Sequence, residues 1–289
     1  MKKKIISVIA GVAGLVAAYF VVSGISNVIY HHPEESATAE STMESAEQGT
    51  EEAKTAMTED EINEMLSGMK ATETAETVTE EQSEVIPVKF EELQAVNPDV
   101  YAWITVPGTD IDYPILQHAS DNTYYLMHNI DGSYGYPGCI YTENMNSKDF
   151  TDNNTVIYGH NMKNGSMFAQ LHKYEDPDFF DANREVLIYL PDEVLHYTIF
   201  AAHIYDDRHL LYSFDFTDPE VYQKYLDSIF SIRDMSANID KDITVTTDDQ
   251  IITLVTCIGS QPNNRLLVQA VLTDREPGTE TARTAATTE

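Results

Sequence analysis

The segment Ile251-Ile-Thr-Leu-Val-Thr-Cys257 decides the fold, because it is apolar and β-branched up to its last residue, a cysteine. Such a run predicts a buried strand. A turn-forming stretch with Gly259, Ser260 and Pro262 follows it. A thiol at the end of a rigid strand and beside a loop is fixed in place yet reachable, as a nucleophile must be. Cysteine is also common there as a small buried hydrophobe, so the position alone decides nothing.

Short runs of β character lie on the N-terminal and C-terminal sides of this strand, separated by Gly, Pro, Asn and Asp. Many short strands of this kind predict a closed or sandwiched antiparallel sheet. The predicted strands are Ala102–Val106, Tyr113–Leu116, Cys139–Thr142, Thr155–Tyr158, Glu185–Leu190, His196–Ile204, Asp242–Thr246, Ile251–Cys257 and Leu266–Leu272.

Two helices are predicted within the sheet-forming region. The first covers Phe90–Tyr101 and is broken at Asn97-Pro98, because the residue before a proline avoids helical geometry. The second begins with Asp218 as N-cap, places Pro219 in the first turn and runs to about Arg233. It carries an apolar stripe, which predicts a packing face: Val221, Tyr222, Tyr225, Leu226 and Ile229.

A histidine and an arginine are the candidate partners of Cys257. His160 follows a short apolar strand and Gly159, and Arg265 opens the strand after the cysteine. Attack on an amide needs a deprotonated sulfur, an acid for the leaving amine, and a cation or N–H group at the developing oxyanion. Cys257, His160 and Arg265 supply one each. Thr256 and Asn161 are the candidate substrate-binding or oxyanion residues.

Other reaction classes fit the sequence less well. Papain-like proteases place Cys before His, and the Gln-Ala-Cys-x-Gly signature of caspases is absent. The nine histidines include no His-Glu-x-x-His motif, and the sequence has neither a phosphate-binding loop nor a dinucleotide-binding glycine pattern. Neither a metal nor a cofactor is therefore predicted. The net charge of −31 argues against a nucleic-acid partner.

The chain is predicted to have four parts. Residues 1–30 combine Lys2–Lys4 with an apolar run long enough for a membrane helix, and the lysines place this end in the cytoplasm and the rest outside. A cleaved signal peptide is the alternative. Residues 31–85 carry 16 Asp or Glu and few aromatics, which predicts a solvated spacer, with helical spacing at Glu59–Met69. Residues 86–275 form the catalytic domain, and residues 276–289 a disordered tail.

Three sequence motifs together resemble those of a known enzyme family. Tyr158-Gly-His-Asn-Met162, then Thr253-Leu-Val-Thr-Cys257, then Arg265, resemble the sortase family, class B in particular. The resemblance covers roughly Phe90 to Leu272. Further segments occur in the class B order: Asp121-Asn122, Tyr125-Leu126, His128-Asn129, Gly138-Cys-Ile-Tyr141, Gly165-Ser-Met-Phe-Ala-Gln-Leu171 and Lys173-Tyr174.

The resemblance implies a mainly β fold, an eight-stranded barrel with an N-terminal helical extension and one helix inserted before the cysteine strand. It implies that Cys257 attacks a threonine carbonyl in the C-terminal sorting motif of a secreted protein and forms a thioester. His160 would then protonate the departing amine, and Arg265 would steady the oxyanion. The implied acceptor is an amine of a cell-wall precursor or, less often, of a pilin.

Two alternatives and the state of the thiols stay open. A catalytically silent module would bind peptide or wall polymer in the same groove, and a hydrolytic cysteine peptidase would use water as acceptor. Cys139 stands where the family commonly has serine, so both thiols are predicted to be free. A bridge between Cys139 and Cys257 would abolish the nucleophile.

Overall fold

The computed structural model describes residues 57–70 and 84–280. The predicted membrane anchor at residues 1–30 lies outside the described residues, as do most of the predicted spacer and residues 281–289 of the predicted tail. Within the described residues, no helix combines the length and apolarity that a membrane crossing requires.

Eight strands close into a barrel. Their order around the barrel is β10-β9-β5-β4-β3-β2-β6-β7, and β7 pairs again with β10. The predicted mainly β fold with an eight-stranded barrel is confirmed. The barrel strands are β2 (Val100–Val106), β3 (Ile111–Leu116), β4 (Ile140–Thr142), β5 (Asn154–Tyr158), β6 (Glu185–Tyr189), β7 (Glu193–Asp206), β9 (Ile251–Ile258) and β10 (Gln261–Glu280). Two short strands extend it, β1 (Glu84–Ile86) along β10 and β8 (Asn238–Ile239) along β7.

The described residues also form five α-helices and two 3-10 segments. The helices are α1 (Glu59–Met69), α2 (Phe90–Val96), α3 (Pro177–Ala182), α4 (Leu210–Ser213) and α5 (Pro219–Phe230), and the 3-10 segments are Tyr124–Leu126 and Phe168–Glu175. As predicted, α2 ends just before Asn97-Pro98, but Val100 and Tyr101, which the prediction assigned to this helix, belong to strand β2. The predicted helix before the cysteine strand is α5, where the Asp218 side chain accepts a hydrogen bond from the Glu220 N–H.

Strand alternation divides the side chains of β9 between two apolar clusters. Ile252, Leu254 and Ile258 join the cluster that fills the barrel. Ile251 and Val255 join the outer cluster, which packs beneath α5. Because successive strand residues point to opposite faces, Cys257 belongs to the outer face and Thr256 to the interior.

The predicted strand Asp242–Thr246 is wrong. This segment forms turns, in which Asp side chains take the backbone N–H groups that a strand would donate to a neighbour. Asp240 accepts from the N–H of Asp242 at 2.9 Å, and Asp249 accepts from the N–H of Thr246 at 2.7 Å. Only Val245 is buried there.

Part of the acidic segment is folded. Helix α1 begins with a capping box between Thr58 and Glu61. Ile62 and Leu66 are buried in an apolar cluster that includes Trp103. At the other end of the described chain, β10 continues past the expected domain end at Arg275 to Glu280.

A buried histidine couples the stability of the barrel to pH. His203 on β7 is 4% exposed, and its Nε2 lies 3.1 Å from Oε1 of Gln269 on β10. Gln269 in turn donates to the hydroxyl of Tyr225 on α5 at 2.8 Å. Burial lowers the pKa of His203 below its ordinary value of 6.5.

The folded barrel therefore resists protonation of His203, whereas the unfolded chain accepts a proton below about pH 6.5. We expect the free energy of unfolding to fall as pH drops below this value. His203→Gln should reduce that pH dependence by up to about 1.4 kcal/mol per pH unit. Urea unfolding at pH 7.5 and 5.5 measures the difference, and identical pH dependence in both proteins would contradict the prediction.

Candidate active site

Cys257 lies at the exposed end of β9. The strand is buried from Ile251 to Thr256, and Cys257 is its first exposed residue. Gly159, just past the end of β5, donates its N–H to the Val255 carbonyl at 3.1 Å, so the chain leaving β5 runs beside the cysteine. The thiol therefore stands on a rigid strand and faces outward.

Arg265 stands directly opposite Cys257 on the neighbouring strand β10. Residues directly opposite in an antiparallel pair project from the same face, so the guanidinium and the thiol share the outer face. The Nη1 atom of Arg265 donates to the carbonyls of Pro262 at 2.8 Å and Asn264 at 3.0 Å. The guanidinium is thus held by the backbone at the start of its own strand, β10.

His160 follows β5 on the other side of Cys257. Tyr158 is in register with Val255 in a parallel pair, so His160 reaches the same end of the barrel as Cys257. Its Nε2 lies 2.7 Å from the Leu126 carbonyl. Because a carbonyl only accepts, Nε2 carries the proton, and Nδ1 is the nitrogen left to accept one. Among the described residues, no hydrogen bond joins the Cys257 sulfur to His160 or Arg265.

Gly159 and Thr256 set the distance between β5 and β9. The Thr256 hydroxyl is buried in the interior and donates to the Gly159 carbonyl at 2.9 Å. A Cβ on Gly159 would lie 2.5 Å from the Ile140 side chain and 2.6 Å from the Phe168 ring, so only glycine fits. The Thr256 side chain, expected near the oxyanion, instead fixes the residue before His160.

Asn161, expected to contact substrate, lies against the backbone of the cysteine. Its Nδ2 donates to the Cys257 carbonyl at 2.9 Å. The same atom lies 3.0 Å from Nε2 of His172.

His172 was not predicted from the sequence. It lies on the 3-10 segment Phe168–Glu175, and its Nε2 is 3.1 Å from the Cys257 carbonyl. Its Nδ1 is 2.9 Å from Oε1 of Glu175. In the sequence, the only feature that could indicate its pairing with Glu175 is their separation of three residues, which places two side chains on the same face of a helical segment.

Tyrosines flank the candidate residues. The Tyr136 ring meets the His160 ring edge-on at 5.2 Å between centroids and is 59% exposed. Tyr141 and Tyr158 stack at 5.3 Å. Burial raises the pKa of Tyr141, and negative charge on Glu143 and Cys257 raises it further. The site therefore has an apolar, aromatic border on the β4–β5 side.

The family model of the sortase domain matches residues 104–273. This chain belongs to the sortase family. Sortase B of Listeria monocytogenes is 34% identical over 212 residues, which cover 72% of this chain and 83% of that protein.

Two solved structures are similar to this sortase. Clostridium perfringens sortase B is 34% identical, with a TM-score of 0.58, and the match covers 64% of this chain and 100% of that one. A Staphylococcus aureus sortase B–substrate complex is 27% identical, with a TM-score of 0.57, and the match covers 64% of this chain and 84% of that one. The chain is accordingly a cysteine transpeptidase most like class B sortases, as the motifs predict.

Both thiols of this sortase are free, as predicted. Cys139 is 6% exposed, and its Sγ contacts the His128 carbonyl at 3.4 Å. Burial raises the pKa of the Cys139 thiol far above its ordinary value. Because the thiolate is the reactive form, Cys139 should be inert in the folded protein.

We expect a thiol reagent to label one cysteine in the native protein and two in the denatured protein. Cys257→Ala should abolish native labelling, whereas Cys139→Ser should leave it intact. Mass spectrometry of the unreduced, labelled protein measures both. Labelling of Cys139 without unfolding, or a disulfide between the two cysteines, would contradict this prediction.

Proposed function

We propose that this sortase cleaves the C-terminal sorting motif of secreted proteins through a thioester on Cys257 and transfers them to a cell-wall amine. The observation that carries the proposal is the pairing of β9 with both β5 and β10. It places the thiol between the residue before His160 and the residue opposite, Arg265. The S. aureus sortase B–substrate complex supports a substrate-binding role for the matching region of this chain.

The proposed reaction has two symmetric halves. The Cys257 thiolate attacks the threonine carbonyl of the motif, and the scissile C–N bond breaks as His160 protonates the departing amine. An acceptor amine then attacks the thioester, His160 takes its proton, and the sulfur leaves as thiolate. One peptide bond is broken and one amide is formed, so no oxidant or cofactor is needed.

Arg265 is the proposed partner of the oxyanion. Its guanidinium shares the outer face with the thiol, and charge there stabilises the tetrahedral intermediate. In the free protein its Nη1 donates to the carbonyls of Pro262 and Asn264, and His160 donates to that of Leu126. Binding of substrate replaces these backbone carbonyls by those of the motif, which aligns the groups at that moment.

The proposed location is the outer face of a cell membrane. Lys2–Lys4 and the apolar run from Ile5 to about Ile25 support a single-pass anchor with its N-terminus in the cytoplasm. The cell-wall association of the family supports an acceptor amine on the same side.

A peptide assay tests the proposal. A panel of fluorogenic peptides with Asn-Pro-x-Thr-like and Leu-Pro-x-Thr-like motifs is incubated with the protein, with and without an amine acceptor such as triglycine. We expect cleavage of at least one motif and an amine-ligated product identified by mass spectrometry. Cys257→Ala and His160→Ala should lower the rate at least about a thousandfold, because each removes a whole chemical step.

The remaining variants separate the roles. Arg265→Lys keeps the charge but loses the planar fork, and we expect a loss of about tenfold to a hundredfold, mostly in kcat. Equal rates for wild type and Cys257→Ala would remove the enzyme proposal and leave a peptide-binding module. Cleavage without any ligated product at high amine concentration would indicate a hydrolytic peptidase.

A further inference from the structure

The carbonyl of Cys257 lies beyond the last backbone hydrogen bond from β5. That bond joins the Gly159 N–H to the Val255 carbonyl. One step further along β9, side chains take over: Asn161 Nδ2 lies 2.9 Å from the Cys257 carbonyl, and His172 Nε2 lies 3.1 Å from it. The Cys257 carbonyl therefore contacts two side chains, where the preceding carbonyl on this face of β9 bonds the backbone next to β5.

Glu175 determines which nitrogen of His172 carries a proton. A carboxylate only accepts, so Nδ1, at 2.9 Å from Oε1, is the protonated nitrogen. In the neutral ring, Nε2 accepts from Asn161 Nδ2 at 3.0 Å, and the second Asn161 hydrogen goes to the Cys257 carbonyl. In the cationic ring, Nε2 itself donates to that carbonyl. In the neutral state His172 therefore orients Asn161, which bonds the Cys257 carbonyl, and in the cationic state His172 bonds that carbonyl itself.

We propose that Asn161, His172 and Glu175 form a clamp that fixes the Cys257–Ile258 peptide and so the direction of the thiol. The clamp rests on the proposed role of Cys257 as nucleophile. It consists of positioning residues, because its contacts are to the backbone of Cys257 and not to its sulfur.

The position of Cys257 explains why a clamp is needed. The next two residues after Ile258 are the exposed turn Gly259-Ser260, and a Cβ on Gly259 would meet no atom within 4 Å. A strand end followed by an unpacked turn frays unless its last peptide groups are bonded. Thr256 holds the strand from the interior, and the clamp holds it at the next residue.

The central experiment compares His172→Leu with His172→Gln. Leucine removes the hydrogen bonds, and we expect kcat for peptide cleavage to fall about tenfold with little change in KM, because misplacement of a reacting group costs rate. Glutamine retains an amide donor that reaches a carbonyl, and we expect it to restore the rate to within about threefold of wild type. Glu175→Ala should lower kcat less than His172→Leu.

A second measurement does not depend on the peptide reaction. The rate of alkylation of Cys257 by iodoacetamide reports the environment of the thiol directly. We expect His172→Leu to change this rate by at least about threefold, since the thiol direction is no longer fixed. If no motif peptide is cleaved but alkylation still depends on His172, the proposed function fails and the clamp stands.

The chain offers a matched control in His196. Its Nε2 lies 3.1 Å from Oε2 of Glu84, and the side chain is 22% exposed, against 25% for His172. His196 lies on β7 roughly 30 Å from Tyr205, the residue opposite Arg265, at about 3.3 Å per strand residue. His196→Leu removes a similar pair at the other end of the barrel and should leave kcat and alkylation unchanged.

Three results would overturn the clamp. One is His172→Leu with wild-type kcat and alkylation rate. Another is an equal loss in His196→Leu, which would indicate general destabilisation. The third applies even if His172→Leu does not fold: ¹⁵N NMR of the wild-type protein should find Nδ1 of His172 protonated, and an unprotonated Nδ1 would contradict the arrangement with Glu175.

Discussion

The site depends on the pairing of β9 with β5 on one side and β10 on the other. The parallel register with β5 brings the chain past Tyr158 to the cysteine, and the antiparallel register with β10 sets Arg265 opposite it. A slip of one residue would exchange the faces, turning Cys257 inward and Thr256 outward. The apolar residues of β9 oppose the slip, because it would exchange the side chains that fill the barrel with those that pack beneath α5.

Much of the fold can be predicted because its signal is local. Each barrel strand overlaps a predicted strand. Runs of β-branched residues between turn-forming residues identify strands from sequence alone, without knowledge of tertiary contacts. Asp242–Thr246 has the same composition but not the same structure. Its aspartates bond the nearby backbone, and this competition depends on geometry that composition does not record. The folded helix α1 likewise needs the cluster around Trp103, which lies in a different part of the sequence.

The candidate site likewise contains some residues that can be predicted from sequence and others that cannot. Cys257 and His160 occur where strands end, and Arg265 lies in the first turn-forming part of the next strand, and such positions can be recognised from sequence. Asn161 and His172 contact the cysteine backbone across 96 and 85 residues. In these contacts the acceptor is a backbone carbonyl, which every residue has. The sequence therefore cannot show which carbonyl a given side chain contacts. Only the three-dimensional arrangement identifies His172.

In this site the peptide of Cys257 is held by side chains, whereas His160 and Arg265 are held only by exposed backbone carbonyls. The peptide of Cys257 is bonded by Asn161 and His172, and Thr256 holds the strand beneath it. His160 and Arg265 instead donate to exposed backbone carbonyls, which in the proposed reaction a substrate carbonyl replaces without leaving a buried donor unpaired. Such an exchange costs little free energy, because one hydrogen bond is traded for another. A rigid sulfur with exchangeable partners therefore suits a reaction in which one histidine first gives and then takes a proton.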